Sequence, residues 1–196
     1  MMSNVNLNLN GCHNIKAEIL LTSLSYKDIC TKNLNLFVLD MNSNEINTYA
    51  KLFGIKDFIG VFAVDQLSLI PKSKTGLVIF NTDTSESIGQ HWIALRITQN
   101  YIFYFDSLES EFYKSPNFVE YICFTNKELV WNTIQIQSYL SEKCGIHCLV
   151  FCYAMQKKKK KKYYRNFLKP FLNSSVEERE QLSLYYFNLI KQICNI

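Results

Sequence analysis

The chain lacks an apolar run long enough to cross a bilayer, and its first residues lack the features of a secretion signal. The longest apolar stretches, Phe58–Val64 and Cys148–Met155, fall well short of the roughly 20 residues that a membrane-spanning helix needs. Residues 1–10 are rich in asparagine and uncharged, without the basic start and apolar segment of a signal peptide. These absences predict an intracellular protein without a membrane partner.

The pattern of a disulfide-stabilised secreted domain is also missing, as is any linker rich in proline and glycine. The seven cysteines are an odd number, and Cys144, Cys148 and Cys152 lie four residues apart. Such a set favours free thiols in a reducing compartment. With 196 residues, 48% of them hydrophobic, and no internal repeat, the chain is predicted to form one globular domain.

The net charge of +4 comes from a single segment. Of the 21 basic residues, six form one uninterrupted run, which leaves 15 basic against 17 acidic residues elsewhere. The chain is therefore a near-neutral domain with one basic patch. Two interpretations stay open: the patch binds the phosphates of nucleic acid, or it is a solvated loop. The candidate phosphate-binding residues are Lys157, Lys158, Lys159, Lys160, Lys161, Lys162 and Arg165.

Hydrophobic periodicity predicts three helices and five strands. Asn42 and Glu45 have the spacing of a capping box and open a helix that ends at Gly54. A helix is predicted from Ser141 to about Gln156, with lysines at its end, and Ser175 opens a last one. The predicted strands are Ile59–Val64, Leu77–Phe80, His91–Ile97, Tyr101–Asp106 and Val130–Gln137.

The short gap between the third and fourth strands predicts a hairpin that brings a histidine to a carboxylate. Folding the chain at residues 98–100 places His91 opposite Asp106 or its neighbour. Cross-strand partners have Cβ atoms roughly 5 Å apart on one face of a sheet. Asp106 would then accept a hydrogen bond from the His91 ring, fix its tautomer and stabilise its charged form.

Cys144 stands near the start of a predicted helix, where the free N–H groups and the dipole favour a thiolate. Gly145 would leave room for the close approach of a substrate backbone. The N–H groups of Cys144 and Gly145, with the Gln137 side-chain amide, would receive the oxyanion formed by acyl attack. Together with His91 and Asp106 these residues supply the nucleophile, base, orienting acid and oxyanion donor of a thiol hydrolase.

Two competing interpretations of this region are weaker. Cys144, Cys148 and Cys152 form a stripe about 12 Å long on a helix, which is too extended for one metal ion, so we predict no metal site. His147 lies three residues after Cys144 and competes as the base. His91 is preferred because the hairpin gives it a carboxylate partner.

These residues resemble the adenain-type cysteine peptidases, the adenovirus-protease family, and above all the versions carried by Polinton/Maverick elements and adintoviruses. The resemblance runs from about Ser43 to the C-terminus. It is carried by the segment 57–67, by Gly76–Thr82 and by the motifs Gly89-Gln-His91-Trp92, Tyr104-Phe-Asp106-Ser107-Leu108, Gln137 seven positions before the cysteine, and Cys144-Gly-Ile-His-Cys148. Residues 1–42 have no counterpart, so they are expected to be an N-terminal extension of unknown role, before a peptidase domain at 43–196.

The resemblance implies an α+β fold: a mixed sheet flanked by helices, with the nucleophile at the start of a central helix. It implies His91 as base, Asp106 as orienting acid, Gln137 as oxyanion donor and Cys144 as nucleophile, with Trp92 next to the substrate. The expected function is cleavage of viral or transposon-encoded precursors, such as capsid proteins, at small residues including glycine. No cofactor is needed for the chemistry, whereas DNA and an activating peptide are implied as ligands, and the host nucleus or the virion as location.

Two alternatives remain. SUMO-specific peptidases of the same broader clan share the His-Trp and Tyr-Asp-Ser motifs, which makes a peptidase for ubiquitin-like proteins the nearest enzymatic rival. The seven-residue step from Gln137 to Cys144 favours the adenain side. The non-enzymatic alternative is a basic DNA- or capsid-binding protein on an inactive peptidase scaffold.

Overall fold

A computed structural model describes residues 40–87 and 89–196, and the predicted extension therefore lies outside the described part except for its last residues. The described chain is α+β, with five helices and five strands. The helices are α1 (Ser43–Leu52), α2 (Pro116–Thr125), α3 (Cys144–Met155), α4 (Lys161–Leu168) and α5 (Val176–Cys194). The strands are β1 (Phe58–Ala63), β2 (Gly76–Asn81), β3 (Trp92–Ile97), β4 (Tyr101–Phe105) and β5 (Glu128–Trp131).

The five strands form one mixed sheet in the order β1-β2-β3-β4-β5. The central strand β3 runs antiparallel to both of its neighbours, β2 and β4, whereas β1 is parallel to β2 and β5 is parallel to β4. Parallel neighbours need a crossover connection. A 3₁₀ segment, Val64–Leu69, lies in the first crossover, and α2 lies in the second.

Helices cover both faces of the sheet, and alternate residues of the strands point to opposite sides. On one side Leu77, Ile79, Ala94, Phe103 and Phe105 pack against α1, α3, α4 and α5. On the other side the intervening strand residues pack against α2 and the 3₁₀ segment. Helix α3 lies inside the first layer, where every residue except Ala154 is buried. Within residues 40–87 and 89–196, no helix is both long and apolar enough to span a membrane.

The predicted helices at 42–54 and after Ser175 are confirmed, with their caps. The Asn42 side chain accepts hydrogen bonds from the N–H groups of Asn44 and Glu45, and the Glu45 carboxylate accepts one from the Asn42 N–H. Ser175 and Glu178 make the same reciprocal pair at α5. Both ends form because the cap side chains satisfy N–H groups that have no acceptor within the helix.

The predicted hairpin is present, but its register differs from the expected one. Ala94 pairs with Phe105, and Ile97 pairs with Ile102. The turn holds only Gln99 and Asn100, because Thr98 still pairs with Tyr101: the Thr98 N–H donates to the Tyr101 carbonyl, and the Tyr101 N–H donates to the Thr98 hydroxyl. His91 and Asp106 are thus not directly opposed within the sheet; each lies one residue outside its strand.

Two further boundaries were predicted wrongly. The central helix begins at Cys144 itself rather than at Ser141, because the Ser141 hydroxyl does not cap it but donates to Glu180. The last strand is Glu128–Trp131, and residues 132–137 are not a strand. The alternating pattern there reflects a loop whose buried positions, Ile136 and Gln137, are held by the carbonyl of Ser107.

The lysine run is divided between a turn and a helix, and is not the tail of the central helix. Helix α3 ends at Met155, Lys157 has a positive φ of 59°, and α4 begins inside the run at Lys161. Helices α2 and α4 were both absent from the sequence prediction. The lysines at the start of α4 obscure its apolar periodicity in the sequence, although Tyr164 and Phe167 of this helix are buried.

An ion pair between a buried arginine and a partly exposed aspartate ties the start of this run to the sheet. Arg96 on β3 is 2% exposed, and its Nη1 contacts Oδ2 of Asp57. The same carboxylate oxygen accepts the Lys157 N–H at 3.0 Å, and Arg96 Nε donates to the Lys158 carbonyl at 2.8 Å. One carboxylate and one guanidinium therefore hold the turn between α3 and α4.

We predict that Asp57→Ala lowers the free energy of unfolding by about 2–4 kcal/mol, because it leaves the buried Arg96 guanidinium without its counter-charge. Urea unfolding followed by far-UV circular dichroism measures the change. Glu86→Ala, which removes an exposed carboxylate, is the matched control and should stay within about 0.5 kcal/mol of wild type. Equal stability of the two variants would contradict this role for Asp57.

Candidate active site

His91 and Asp106 meet at the ends of two adjacent strands. The His91 ring Nε2 lies 2.7 Å from Oδ1 of Asp106, although the two residues are 15 positions apart. His91 directly precedes β3, and Asp106 directly follows β4. His91 is 9% exposed and Asp106 is fully buried. The predicted contact is present, and it forms where the strands end rather than inside the ladder.

The Asp106 carboxylate accepts hydrogen bonds from the turn that follows it. Its Oδ1 accepts the Leu108 N–H at 2.9 Å, and its Oδ2 accepts the Ser110 N–H at 3.0 Å and the Ser110 hydroxyl. The Tyr104 hydroxyl stands 3.5 Å from Oδ2, and burial raises the pKa of this phenol, which keeps it protonated as a donor. A buried carboxylate without such donors would be strongly disfavoured. These contacts fix the face that Asp106 presents to His91.

Asn132 fixes the backbone of Asp106. Its side-chain oxygen accepts the Asp106 N–H at 2.9 Å, and its amide nitrogen donates to the Asp106 carbonyl at 2.7 Å. The same nitrogen also donates to the Ile134 carbonyl at 3.0 Å. Asn132 therefore takes the place of a sheet partner at the point where β5 has ended, and it joins the acid to the segment that leads to Gln137.

A second side chain, Asn81, positions the segment before His91. Asn81 Oδ1 accepts the N–H groups of Asp83 and Gln90. Gly89 has a φ of 88°, and a Cβ at this position would lie 2.3 Å from the Asn81 amide nitrogen. Only glycine fits there, because a side chain would collide and the backbone is in the region that favours glycine. The glycine two residues before His91 thus has a structural reason.

Cys144 reaches the same imidazole from the central helix. It is the first residue of α3 and is 4% exposed, and its thiol interacts with the His91 ring and helps to raise the pKa of that histidine. Asp106 occupies Nε2, which leaves Nδ1 as the ring nitrogen available to the sulfur. The Ile146 and His147 N–H groups turn back to the Lys143 carbonyl. The Cys144 and Gly145 N–H groups come earlier in the first turn, where the helix supplies no acceptor.

The surroundings of His91 favour its charged form. Burial opposes the charge, but the hydrogen bond to Asp106, the hydrogen bond to Cys144 and the charges of both partners outweigh it and raise the pKa of His91 to about 9. The histidine is therefore mainly an imidazolium at neutral pH. An imidazolium next to a thiol stabilises the thiolate, which is the reactive form of cysteine.

The Gln137 side chain is buried and held at both ends. Its Oε1 accepts the Ser107 hydroxyl at 2.7 Å, and its Nε2 donates to the Ser141 carbonyl. An amide nitrogen carries two hydrogens, so one of them remains for another acceptor. The Gln137 N–H also donates to the Ser107 carbonyl at 2.9 Å. Ser107 follows Asp106 in the chain, so the acid and the predicted oxyanion donor share one support.

The role expected for Gly145 needs correction. A Cβ at Gly145 would lie 3.1 Å from Met41 Cβ and 3.3 Å from Ile46 Cδ1. The absent side chain therefore makes room for Ile46 of α1 and for Met41, which precedes the N-cap of that helix, and not for a substrate backbone. Trp92 belongs to the same contact: its indole Nε1 donates to the Met41 carbonyl at 2.8 Å. Trp92 is half-buried and lies next to the site because it directly follows His91. Its indole N–H fixes the segment that leads into α1.

The other candidates on α3 are core residues. His147 is fully buried, with Nδ1 2.7 Å from the Ser183 hydroxyl, and burial, with the charges of Lys143 and His91, lowers its pKa to about 3. It is a neutral residue rather than a base. The Cys148 thiol contacts the Trp92 carbonyl at 3.3 Å, and burial raises the pKa values of Cys148 and Cys152. Across residues 40–87 and 89–196 no cluster of His, Cys, Asp and Glu has metal-site geometry.

No protein-family model matches this chain. No curated protein gives a significant match either.

Sequence reasoning missed several residues that build the site. Asn132, Ser110 and Glu180 are polar, and their spacing from the motifs carries no periodic pattern. Ser107 belongs to the Asp106 motif, but the sequence predicted no contact between it and Gln137. Only Ser110 had a recognisable signal in the sequence. An aspartate followed by small polar residues is typical of a turn in which the aspartate side chain accepts hydrogen bonds from the residues after it. The others depend on contacts 26 to 42 positions apart.

The raised pKa of His91 predicts how the stability of the fold depends on pH. An unfolded histidine has a pKa near 6.5, so the stabilisation from the His91–Asp106 pair should be complete below about pH 6.5 and be lost as the pH rises through about 9. Two-dimensional NMR of the imidazole groups should show His91 still charged at pH 8, and Asp106→Asn should lower its pKa. A wild-type His91 that titrates near pH 6.5 would contradict the geometry.

Proposed function

We propose that the chain is an adenain-like cysteine endopeptidase. The single observation that carries this proposal is that one imidazole, that of His91, has Asp106 on its Nε2 and also interacts with the Cys144 thiol. Cys144 is the first residue of its helix, where the N–H groups have no acceptor within the helix. This is the arrangement of nucleophile, base and orienting acid required for acyl transfer.

The geometry suits a thiolate mechanism. The imidazolium of His91 pairs with the Cys144 thiolate, which attacks the scissile carbonyl carbon. Negative charge then develops on the carbonyl oxygen, where the Cys144 N–H and the free hydrogen of the Gln137 amide can receive it. His91 gives its proton to the leaving amine, becomes neutral, and then takes a proton from the water that hydrolyses the acyl-enzyme. Asp106 keeps the ring in place and balances its charge.

The proposed substrates are precursor proteins of a virus or a mobile element, including capsid proteins, cut at small residues such as glycine. A peptidase for ubiquitin-like proteins has the same site chemistry and is the alternative within enzymes. The two are separated by substrate: cleavage of a Gly-Gly peptide within a linear sequence supports the first, and cleavage of a folded ubiquitin-like protein at its C-terminus supports the second. Both proposed activities need the same four side chains.

Iodoacetamide labelling tests the proposed chemistry. Cys144 should be alkylated faster than the exposed Cys123, and His91→Ala should remove that advantage, because the imidazolium stabilises the thiolate. Peptide mapping by mass spectrometry measures both sites. On a Gly-Gly peptide amide, Cys144→Ala and His91→Ala should abolish turnover, while Asp106→Asn should lower kcat by about 10⁴-fold, because the ring loses the carboxylate that orients it and balances its charge.

Cys123→Ser is the matched control, because it removes an exposed thiol outside the site and should leave turnover unchanged. Alkylation of Cys144 that is slow and indifferent to His91 would rule out the peptidase and favour the alternative, a binding protein on an inactive scaffold.

A second activity, DNA binding by the basic segment, is favoured by the position of the lysines. Lys159, Lys160 and Lys161 line a groove of about 530 Å³ together with the hairpin turn at residues 98–101. Exposed Arg165 continues the basic surface on α4. Lys161 is only partly available, since it pairs with Glu128 and lies over the Tyr101 ring. Lys158 and Lys162 lie over the Tyr163 ring.

We predict that duplex DNA binds with an affinity that falls steeply as salt rises, because cationic side chains displace counterions from phosphates. Replacing Lys159, Lys160 and Lys162 by glutamine should flatten the salt dependence by about two to three units of slope. Fluorescence anisotropy at several salt concentrations measures it. Lys51→Gln, on α1, is the control. Unchanged binding by the triple variant would mean that the lysine run is a solvated turn.

A further inference from the structure

The loop between Gln137 and Cys144 has little apolar anchoring of its own. Its tip is solvent-exposed, with Tyr139 77% and Leu140 97% exposed. Nevertheless the loop must hold its shape, because it joins the predicted oxyanion donor to the nucleophile. Its order therefore depends on polar contacts, and these come mainly from one side chain outside the loop.

That side chain is Glu180, in the second turn of α5. It is 7% exposed. Its Oε2 accepts the Ser138 N–H at 3.2 Å, and its Oε1 accepts the Ser141 hydroxyl. Oε1 also lies 3.9 Å from the Lys143 ammonium group, one residue before Cys144. One carboxylate thus contacts the beginning, the middle and the end of the loop.

The contact with Ser141 continues directly into the site. The Ser141 carbonyl accepts one hydrogen of the Gln137 amide, and the Ser107 hydroxyl holds the other end of that amide. The position of Ser141 therefore determines where the second amide hydrogen points. Glu180 sets the position of Ser141, so the aim of the Gln137 donor depends on a carboxylate 43 residues away in sequence.

Neighbouring residues of α5 hold the two flanks of this loop. Arg179 donates from Nη1 to the Gln135 carbonyl at 2.9 Å, and Gln135 in turn donates to the Gln137 carbonyl. One turn later, the Ser183 hydroxyl holds His147 on α3. Glu180 stands between these two anchors, so the first two turns of α5 support the whole segment from Gln135 to His147.

We propose that Glu180 is a positioning residue for the oxyanion site: it holds loop 138–143 so that the Gln137 amide meets the developing oxyanion. This inference rests on the proposed peptidase function and deepens it. A carboxylate suits the position because both of its oxygens accept, and three donors converge on them. A glutamine of the same shape keeps one acceptor but turns an NH₂ group toward a donor.

The test compares reactions that do and do not form an oxyanion. In Glu180→Gln, kcat for a Gly-Gly peptide amide should fall about 10- to 100-fold with little change in KM, because the lost interaction exists only in the transition state. The inhibition constant of a Gly-Gly peptide aldehyde, whose adduct with Cys144 carries such an oxygen, should rise by a similar factor. Alkylation of Cys144 by iodoacetamide forms no oxyanion and should change less than about twofold.

Two variants keep the test specific. Glu177→Gln removes an exposed carboxylate from the same helix and should behave as wild type. Ser141→Ala removes only the hydroxyl that meets Glu180 and should lower kcat less. In the double variant Ser141→Ala/Glu180→Gln the two losses should not add, because both act through one contact. Thermal unfolding of each variant reports on its fold.

The outcomes separate the two proposals. If kcat of Glu180→Gln stays within about twofold of wild type, the positioning role is wrong and the peptidase proposal stands. If kcat, the alkylation rate and the unfolding midpoint of Glu180→Gln all fall together, Glu180 is only structural, and the inference is likewise overturned. If the wild type shows neither turnover nor His91-dependent alkylation, the proposed function itself fails and the inference fails with it.

Discussion

The architecture of the site depends on one buried carboxylate. Asp106 has no exposure to solvent, and its charge can persist there only because donors surround it. Backbone and side-chain groups of residues 108–110, with the Tyr104 hydroxyl, take up most of its accepting capacity. The position that remains belongs to His91. The turn after β4, the end of β5 and the orientation of the imidazole are thus consequences of satisfying a single buried anion.

The sheet and the central helix bring the thiol to that imidazole. Helix α3 is apolar on all sides, so it is stable only inside the layer between the sheet and helices α1 and α5. Its start is then fixed by packing rather than by a capping side chain, since Lys143 makes no side-chain cap. The result is that the first residue, Cys144, stands at the edge of the core, 4% exposed, where the unpaired N–H groups of the helix also end.

The sequence predicts this site better than it predicts the elements that support it. The hairpin and the two capped helices follow from short-range patterns, and so does the approach of His91 to Asp106.

The predicted register of the hairpin was wrong because Thr98 pairs with Tyr101, and this pairing depends on the Thr98 hydroxyl in the turn. The start of α3 was wrong because Ser141 has a carboxylate partner that lies 39 positions later. Gly145 was assigned to the substrate, although its space is filled by Met41 and Ile46. Long-range polar contacts of this kind, those of Asn132 and Glu180 above all, leave no local trace in a single sequence.

A crystal structure of the chain with a Gly-Gly peptide aldehyde tests directly whether Cys144, His91 and Asp106 form one catalytic site. We predict a covalent bond from the Cys144 sulfur to the aldehyde carbon and an unchanged hydrogen bond between His91 Nε2 and Asp106. The adduct oxygen should lie about 2.7–3.1 Å from Gln137 Nε2 and the Cys144 nitrogen. An adduct on another residue, or a Cys144 sulfur turned away from the His91 ring with the aldehyde unbound, would contradict this prediction.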